Sequence, residues 1–87
     1  MSKKIILDVR EKHEYKKNHV KEAKNLPLSS FMINHQSVLE DVDYEDEIIV
    51  YCQSGHRASL AISFLQKKGY KNLKNGINQV TIETNYL

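Results

Sequence analysis

The sequence predicts an α/β domain, with a small parallel sheet of about four or five strands and helices on both faces. Three observations predict it. Two short runs, Lys4-Ile5-Ile6-Leu7-Asp8-Val9 and Ile48-Ile49-Val50-Tyr51, are rich in β-branched and aromatic residues, as buried strands require. A helical pattern follows the second run, with Ala58, Ala61, Ile62 and Leu65 at i, i+3, i+4 and i+7. Strand-like and helical segments then alternate along the chain, the arrangement that joins parallel strands by crossovers.

The elements follow in order. Lys4 to Val9 forms the first strand and ends in the polar group Asp8-Val9-Arg10. Glu11 to Asn18 is polar and short and suits one or two helical turns. Lys24 to Leu26 is expected to be extended, because the residue before Pro27 is biased away from helix. Leu28 to Phe31 can start a helix, with Ser29 or Ser30 as its cap, and Ser37 to Glu40 suits a further turn. Asp41 to Glu47 carries five carboxylates and reads as a solvated connector. After the strand Ile48–Tyr51 comes the helix His56 to Lys68, its apolar stripe widened by Leu60 and Phe64. Lys67 and Lys68 complement its C-terminal dipole, and Gly69 can take the left-handed cap position. Tyr70 to Lys74 fits a short strand and Asn75-Gly76 a turn. The tail from Ile77 to Leu87 suits either a helical turn or an edge strand.

The 87 residues have room for one domain, 1–87, and one core. Thirteen basic and eleven acidic residues give a net charge of +2, too small and too evenly spread to imply nucleic acid. Lys3-Lys4 is followed by only three apolar residues before Asp8, against the about 7–15 of a signal peptide. No run approaches the roughly 20 apolar residues of a membrane span, so no membrane partner is expected. A single cysteine builds no disulfide framework. The cytosol is the expected compartment, and a monomer the expected state.

That cysteine carries the strongest chemical signal. Cys52 opens the loop Cys52-Gln53-Ser54-Gly55-His56-Arg57 between the buried strand and the helix. A thiol there points into backbone N–H groups at a helix start, where negative charge is favoured. An ordinary cysteine, with pKa near ~8.5, is only a few per cent thiolate at neutral pH. A helix N-terminus supplies about 0.3–1 kcal/mol toward the anion, and further N–H donors and Arg57 add to it. Gly55 allows a positive φ and room for an approaching substrate. Ser54 offers a hydroxyl donor, and Arg57 can hold the loop or an anion through paired hydrogen bonds. Gln53 and His56 are expected at the mouth. An inert buried thiol is the bland alternative, and the surrounding Ser, Gly and Arg weigh against it.

In parallel sheets, ligands bind at the carboxyl ends of the strands. Asp8-Val9-Arg10 and Cys52 both end strands, so they are expected on one rim. Asp8 and Arg10 suit either a substrate site or, better, a supporting ion-pair network with Glu14 as a partner for Arg10. His19 suits a hydrogen-bonding turn position, and His13 and His35 suit solvent. Cys52, His56 and a distant histidine match no closed zinc spacing, so no metal site is expected. Thioredoxin-like chemistry lacks its second cysteine.

The loop Cys52-Gln53-Ser54-Gly55-His56-Arg57 resembles the active-site loop of rhodanese-like sulfurtransferases. The resemblance runs upstream through Asp8-Val9-Arg10-Glu11, His13-Glu14-Tyr15, His19-Val20 and Ala23-Lys24-Asn25-Leu26-Pro27-Leu28. Downstream it runs through Leu65 to Gly69-Tyr70 and Asn72-Leu73. The chain departs from the pattern at Lys21-Glu22, where Pro-Gly is frequent, and at Asn75-Gly76-Ile77, where Gly-Gly-Ile and a following Trp are frequent. The resemblance implies that Cys52 carries a sulfane sulfur as a persulfide, cradled by the N–H groups of residues 53–57. It also implies a small anionic donor such as thiosulfate, an acceptor such as cyanide, a thiol or a protein sulfur acceptor, and no metal or organic cofactor. Related folds acting on phosphate or arsenate use Cys-x5-Arg; the shorter Cys-x4-Arg here better suits one sulfur atom than a tetrahedral oxyanion. A non-catalytic module that docks a partner protein is the other reading, and it has no need of the thiol.

Overall fold

Residues 3–87 are described by a computed structural model. The first apolar run is strand β1 (Lys4–Asp8) and the second is β3 (Glu47–Tyr51), paired in parallel with Ile5 opposite Ile48, Leu7 opposite Val50 and Asp8 opposite Tyr51. β2 (Lys24–Asn25) lies on the outer side of β1, and β4 (Asn72–Ile77) on the outer side of β3. The sheet therefore has four parallel strands in the order β2-β1-β3-β4. Helices α1 (Lys12–Lys17), α2 (Phe31–Val38), α3 (His56–Lys67) and α4 (Gln79–Asn85) fill the connections and the C-terminal segment, with one 3-10 turn at Leu28–Ser30 leading into α2.

Successive strand residues point to opposite faces, and this divides the core in two. Leu7, Val9, Ile48, Val50 and Cys52 face Phe31 of α2 and Ala58, Ala61 and Leu65 of α3. Ile6, Ile49 and Tyr51 face Val20, Ala23 and Ile82 of α4, with Tyr15 of α1 and Tyr86 packed alongside. The α3 stripe buries Ala58, Ala61 and Leu65, with Ile62 and Phe64 half-buried against them, whereas Leu60, expected to widen it, turns to solvent. Gly69 ends the helix at φ 106°, and the Tyr70 N–H turns back to the Leu65 carbonyl at 3.2 Å.

Four expectations need correction. The segment 28–40 holds one helix through Phe31–Val38 rather than separate turns. Its cause is also why His35 is buried rather than solvated: Phe31 and His35, four residues apart, stack with ring centroids 6.2 Å apart against the edge of Phe64. The acidic segment is not wholly solvated, because Asp46 is buried and accepts the N–H groups of Lys3 and Asp43, each at 2.9 Å. Asn75-Gly76 lies inside β4, not in a turn. Gly76 is required there by close packing: a Cβ would sit 2.1 Å from Ile82 Cδ1 and 3.0 Å from Ile49 Cγ2. The tail is a helix, started by Asn78, whose Oδ1 accepts the Thr81 N–H at 2.9 Å.

Candidate active site

Asp8 and Cys52 both sit at the carboxyl ends of their strands, on one rim of the sheet. The backbone at Cys52 is anchored by its N–H, which donates to the Ile77 carbonyl at 3.1 Å where the β3–β4 register shifts. Beyond it the chain folds back over the thiol. Gly55, at φ 90°, takes the left-handed conformation that a side chain would resist, and α3 starts at the next residue. The Gly55 N–H then donates to Cys52 Sγ at 3.1 Å and the Ala58 N–H at 3.4 Å. These are among the amides that a helix start leaves without partners within the helix. Burial pushes the Cys52 thiol up, but the N–H groups of Ala58, Ser54, Gly55 and Arg57 together outweigh it and hold the thiol below its ordinary value. Gln53, Ser54 and His56 have exposed side chains around this buried sulfur.

Arg57 does not point freely at the mouth. Its Nη1 and Nη2 donate to the two carboxylate oxygens of Glu14, at 2.8 and 3.1 Å. Glu14 Oε1 also accepts the Glu11 N–H at 2.9 Å, closing the first turn of α1. The Arg57 fork, opposed by burial but aided by that N–H, lowers the Glu14 carboxyl to about 2. Glu14 is therefore the partner of Arg57, not of Arg10. The expected pairing with Arg10 gives way because the fold carries α3 over the rim to α1, bringing Arg57 to Glu14.

Arg10 closes on its own neighbour. Its Nη2 lies 2.8 Å from Asp8 Oδ2 and 2.8 Å from the Asn18 carbonyl, and its Nε donates to both Asp8 oxygens. The Tyr51 hydroxyl donates to Asp8 Oδ2 at 2.7 Å and accepts the buried Val20 N–H at 3.0 Å. Burial raises the Tyr51 phenol well above its ordinary range, which keeps it a neutral donor. Tyr51 and Asp8 share the face opposite Cys52, so this network braces the rim from behind the cysteine. Tyr51 was not singled out by the sequence; its one available signal was a tyrosine in an otherwise aliphatic strand, whose hydroxyl needs a buried partner. His19 takes the expected turn role: its Nδ1–H donates to the Tyr15 carbonyl at 2.8 Å and its ring stacks on Tyr15.

The arrangement aims the Gly55 and Ala58 N–H groups at a buried thiol that they help hold below its ordinary value, with the loop's arginine engaged by a carboxylate. The Rhodanese-like domain family model matches residues 1–83. The chain is similar to a putative mitochondrial thiosulfate sulfurtransferase of Schizosaccharomyces pombe, at 34% identity over 82% of this chain and 56% of the relative. It is similar also to the putative sulfur carrier protein YrkF of Bacillus subtilis, at 34% identity over 80% of this chain and 36% of the relative. The chain thus spans about half or less of the length of these curated relatives. Among solved structures, a rhodanese with anions from E. coli superposes with a TM-score of 0.79 at 28% identity, covering 91% of each chain.

Proposed function

The chain belongs to the rhodanese-like domain family, and from that premise we propose that it transfers sulfane sulfur from thiosulfate or a persulfide donor to a thiophilic acceptor through a persulfide on Cys52. The observation that carries the reading is the convergence of the Gly55 and Ala58 N–H groups on Cys52 Sγ, at 3.1 and 3.4 Å. A depressed thiol supplies the nucleophile, and the same donors offset the negative charge of a bound sulfur.

In the first half-reaction, the Cys52 thiolate attacks the outer sulfur of thiosulfate. A new S–S bond forms at Cys52, the S–S bond of thiosulfate breaks, and sulfite leaves with the bonding pair. In the second, cyanide or an acceptor thiolate attacks the outer sulfur of the persulfide. The acceptor gains that sulfur, and Cys52 leaves as thiolate, ready for another cycle. Gln53, Ser54 and His56 border the entry, and Arg57 fixes the start of α3 through Glu14. Asp8 and Arg10 support the rim.

Chemistry on a phosphate or arsenate oxyanion fits less well. The paired N–H fork that would grip two oxygens is turned to Glu14. A purely docking module would have no use for donors aimed at a thiol. Incubation with thiosulfate is expected to add the mass of one sulfur atom to the intact protein, and Cys52→Ala to lose both that adduct and turnover with cyanide. Wild-type protein that stays unmodified, while its thiol still reacts with an alkylating agent, would overturn the proposal.

A further inference from the structure

The cysteine loop is tied to the end of β4 by one side chain. Asn75 Nδ2 donates to the Gly55 carbonyl at 3.0 Å, and Asn75 Oδ1 accepts the Ile77 N–H at 2.9 Å. The amide orientation follows from the partners, since a carbonyl can only accept and an N–H only donate. With the Cys52 N–H on the Ile77 carbonyl (3.1 Å) and the Gly55 N–H on Cys52 Sγ (3.1 Å), four hydrogen bonds form a closed circuit. It runs from the Cys52 backbone through Ile77, Asn75 and Gly55 back to the sulfur.

Both backbone turns inside this circuit are unusual. Gly55 stands at φ 90° and Ile77 at φ 72°, the latter a β-branched residue in the left-handed region. Such a conformation is strained and persists only when its surroundings over-determine it. Here they do: the Ile77 N–H is held by Asn75 and its carbonyl by Cys52. Gly55 lies directly against this residue, its open side 3.5 Å from Ile77 Cγ2 as measured from the position a Cβ would occupy. The Gly55 carbonyl also accepts the Ser59 N–H at 3.0 Å, the first turn of α3. Asn75 therefore grips the same peptide that opens the helix.

We propose that Asn75 is a positioning residue for the Cys52 cradle: it sets the Gly55 turn so that the loop N–H groups meet the sulfur. It does not touch the reacting atoms. The inference rests on the Cys52 cradle described for the proposed transfer reaction, but it does not depend on thiosulfate being the donor. Removing the side chain frees Gly55 and Ile77 to relax, and the donors then drift from Sγ.

The test is the pH dependence of Cys52 alkylation by iodoacetamide, in wild type, Asn75→Ala, Asn75→Asp and Asn72→Ala, with urea midpoints measured alongside. Asn75→Asp keeps the acceptor for the Ile77 N–H but loses the donor to Gly55. Both Asn75 variants are expected to titrate at higher pH than wild type and, with less thiolate present, to react about three- to tenfold more slowly at pH 7. Asn72→Ala, exposed on the same strand, is expected to match wild type. An alkylation profile unchanged in Asn75→Ala and Asn75→Asp, whatever their stability, would overturn the proposal. Alkylation needs no sulfur donor, so failure here is separable from failure of thiosulfate to load the wild-type protein.

Discussion

Glu14 serves two partners with one carboxylate: it closes the first turn of α1 on the Glu11 N–H and receives both terminal nitrogens of Arg57. Its folded-state value of about 2 lies below the ordinary 4.5. A depressed carboxyl stabilises the fold fully above its unfolded value, and that contribution fades as pH falls through the folded one. Wild type is thus expected to exceed Glu14→Gln by about 1 kcal/mol at pH 7, a modest figure because the pair is partly solvated. Urea unfolding at a series of pH values should show the difference constant at neutral pH and shrinking between pH 4.5 and about 2. A difference that persists at the acid end would assign the effect to packing instead. Tyr51 makes the contrasting case, a buried hydroxyl on the face away from the thiol. Tyr51→Phe leaves the buried Val20 N–H without its acceptor and is expected to cost about 1–3 kcal/mol. Since Tyr51 makes no hydrogen bond to Cys52, the alkylation profile of the variant should stay that of wild type. A shifted profile would mean that the rim network reaches the sulfur after all.

At the scale of elements, β4 and α4 are held together by the absence of a side chain at Gly76. Gly76→Ala is expected to cost about 1–3 kcal/mol, because Ile82 is fully buried and its Cδ1 would have to leave space already filled. Thermal unfolding of the variant measures this; an unchanged Tm would mean that α4 shifts freely on the sheet. The same glycine explains where the sequence was hard to read. Asn75-Gly76 has turn chemistry as a dipeptide, yet its glycine answers Ile82, six residues later on α4. The strand that contains it, β4, also has exposed polar residues on an edge, so it lacks the apolar run that made β1 and β3 plain. By contrast, α3 was readable to within a residue, since its stripe, basic last turn and terminal glycine agree. The cysteine loop was equally readable, because its residues are consecutive. What escaped were partners distant in sequence: Glu14 lies 43 residues from Arg57, and Asn75 lies 20 from Gly55. Local chemistry names what such residues can bond, but only the crossovers decide which partner arrives.

For the whole molecule, one sheet separates two cores, and the proposed chemistry uses both. Cys52 and the helix that cradles it belong to the α2–α3 face, while Tyr51, Ile82 and the α1 packing belong to the other. The Glu14–Arg57 pair joins α1 to α3 over the rim, so the loop is braced from both layers. Two layers meeting at a sheet, with no side chains shared between clusters, should respond independently to small changes in packing. Ile48→Val on the cysteine face and Ile82→Val on the other are each expected to cost about 1 kcal/mol, and together to add within about 0.5 kcal/mol. Ile49→Val with Ile82→Val is the informative comparison, because both side chains flank Gly76 on the same face. That pair is expected to deviate from additivity by about 0.5 kcal/mol or more. Urea unfolding of the two double-mutant cycles distinguishes the cases. Strong coupling between Ile48 and Ile82 would mean that the sheet transmits packing strain between its faces, so that a change beneath α4 could also disturb the thiol.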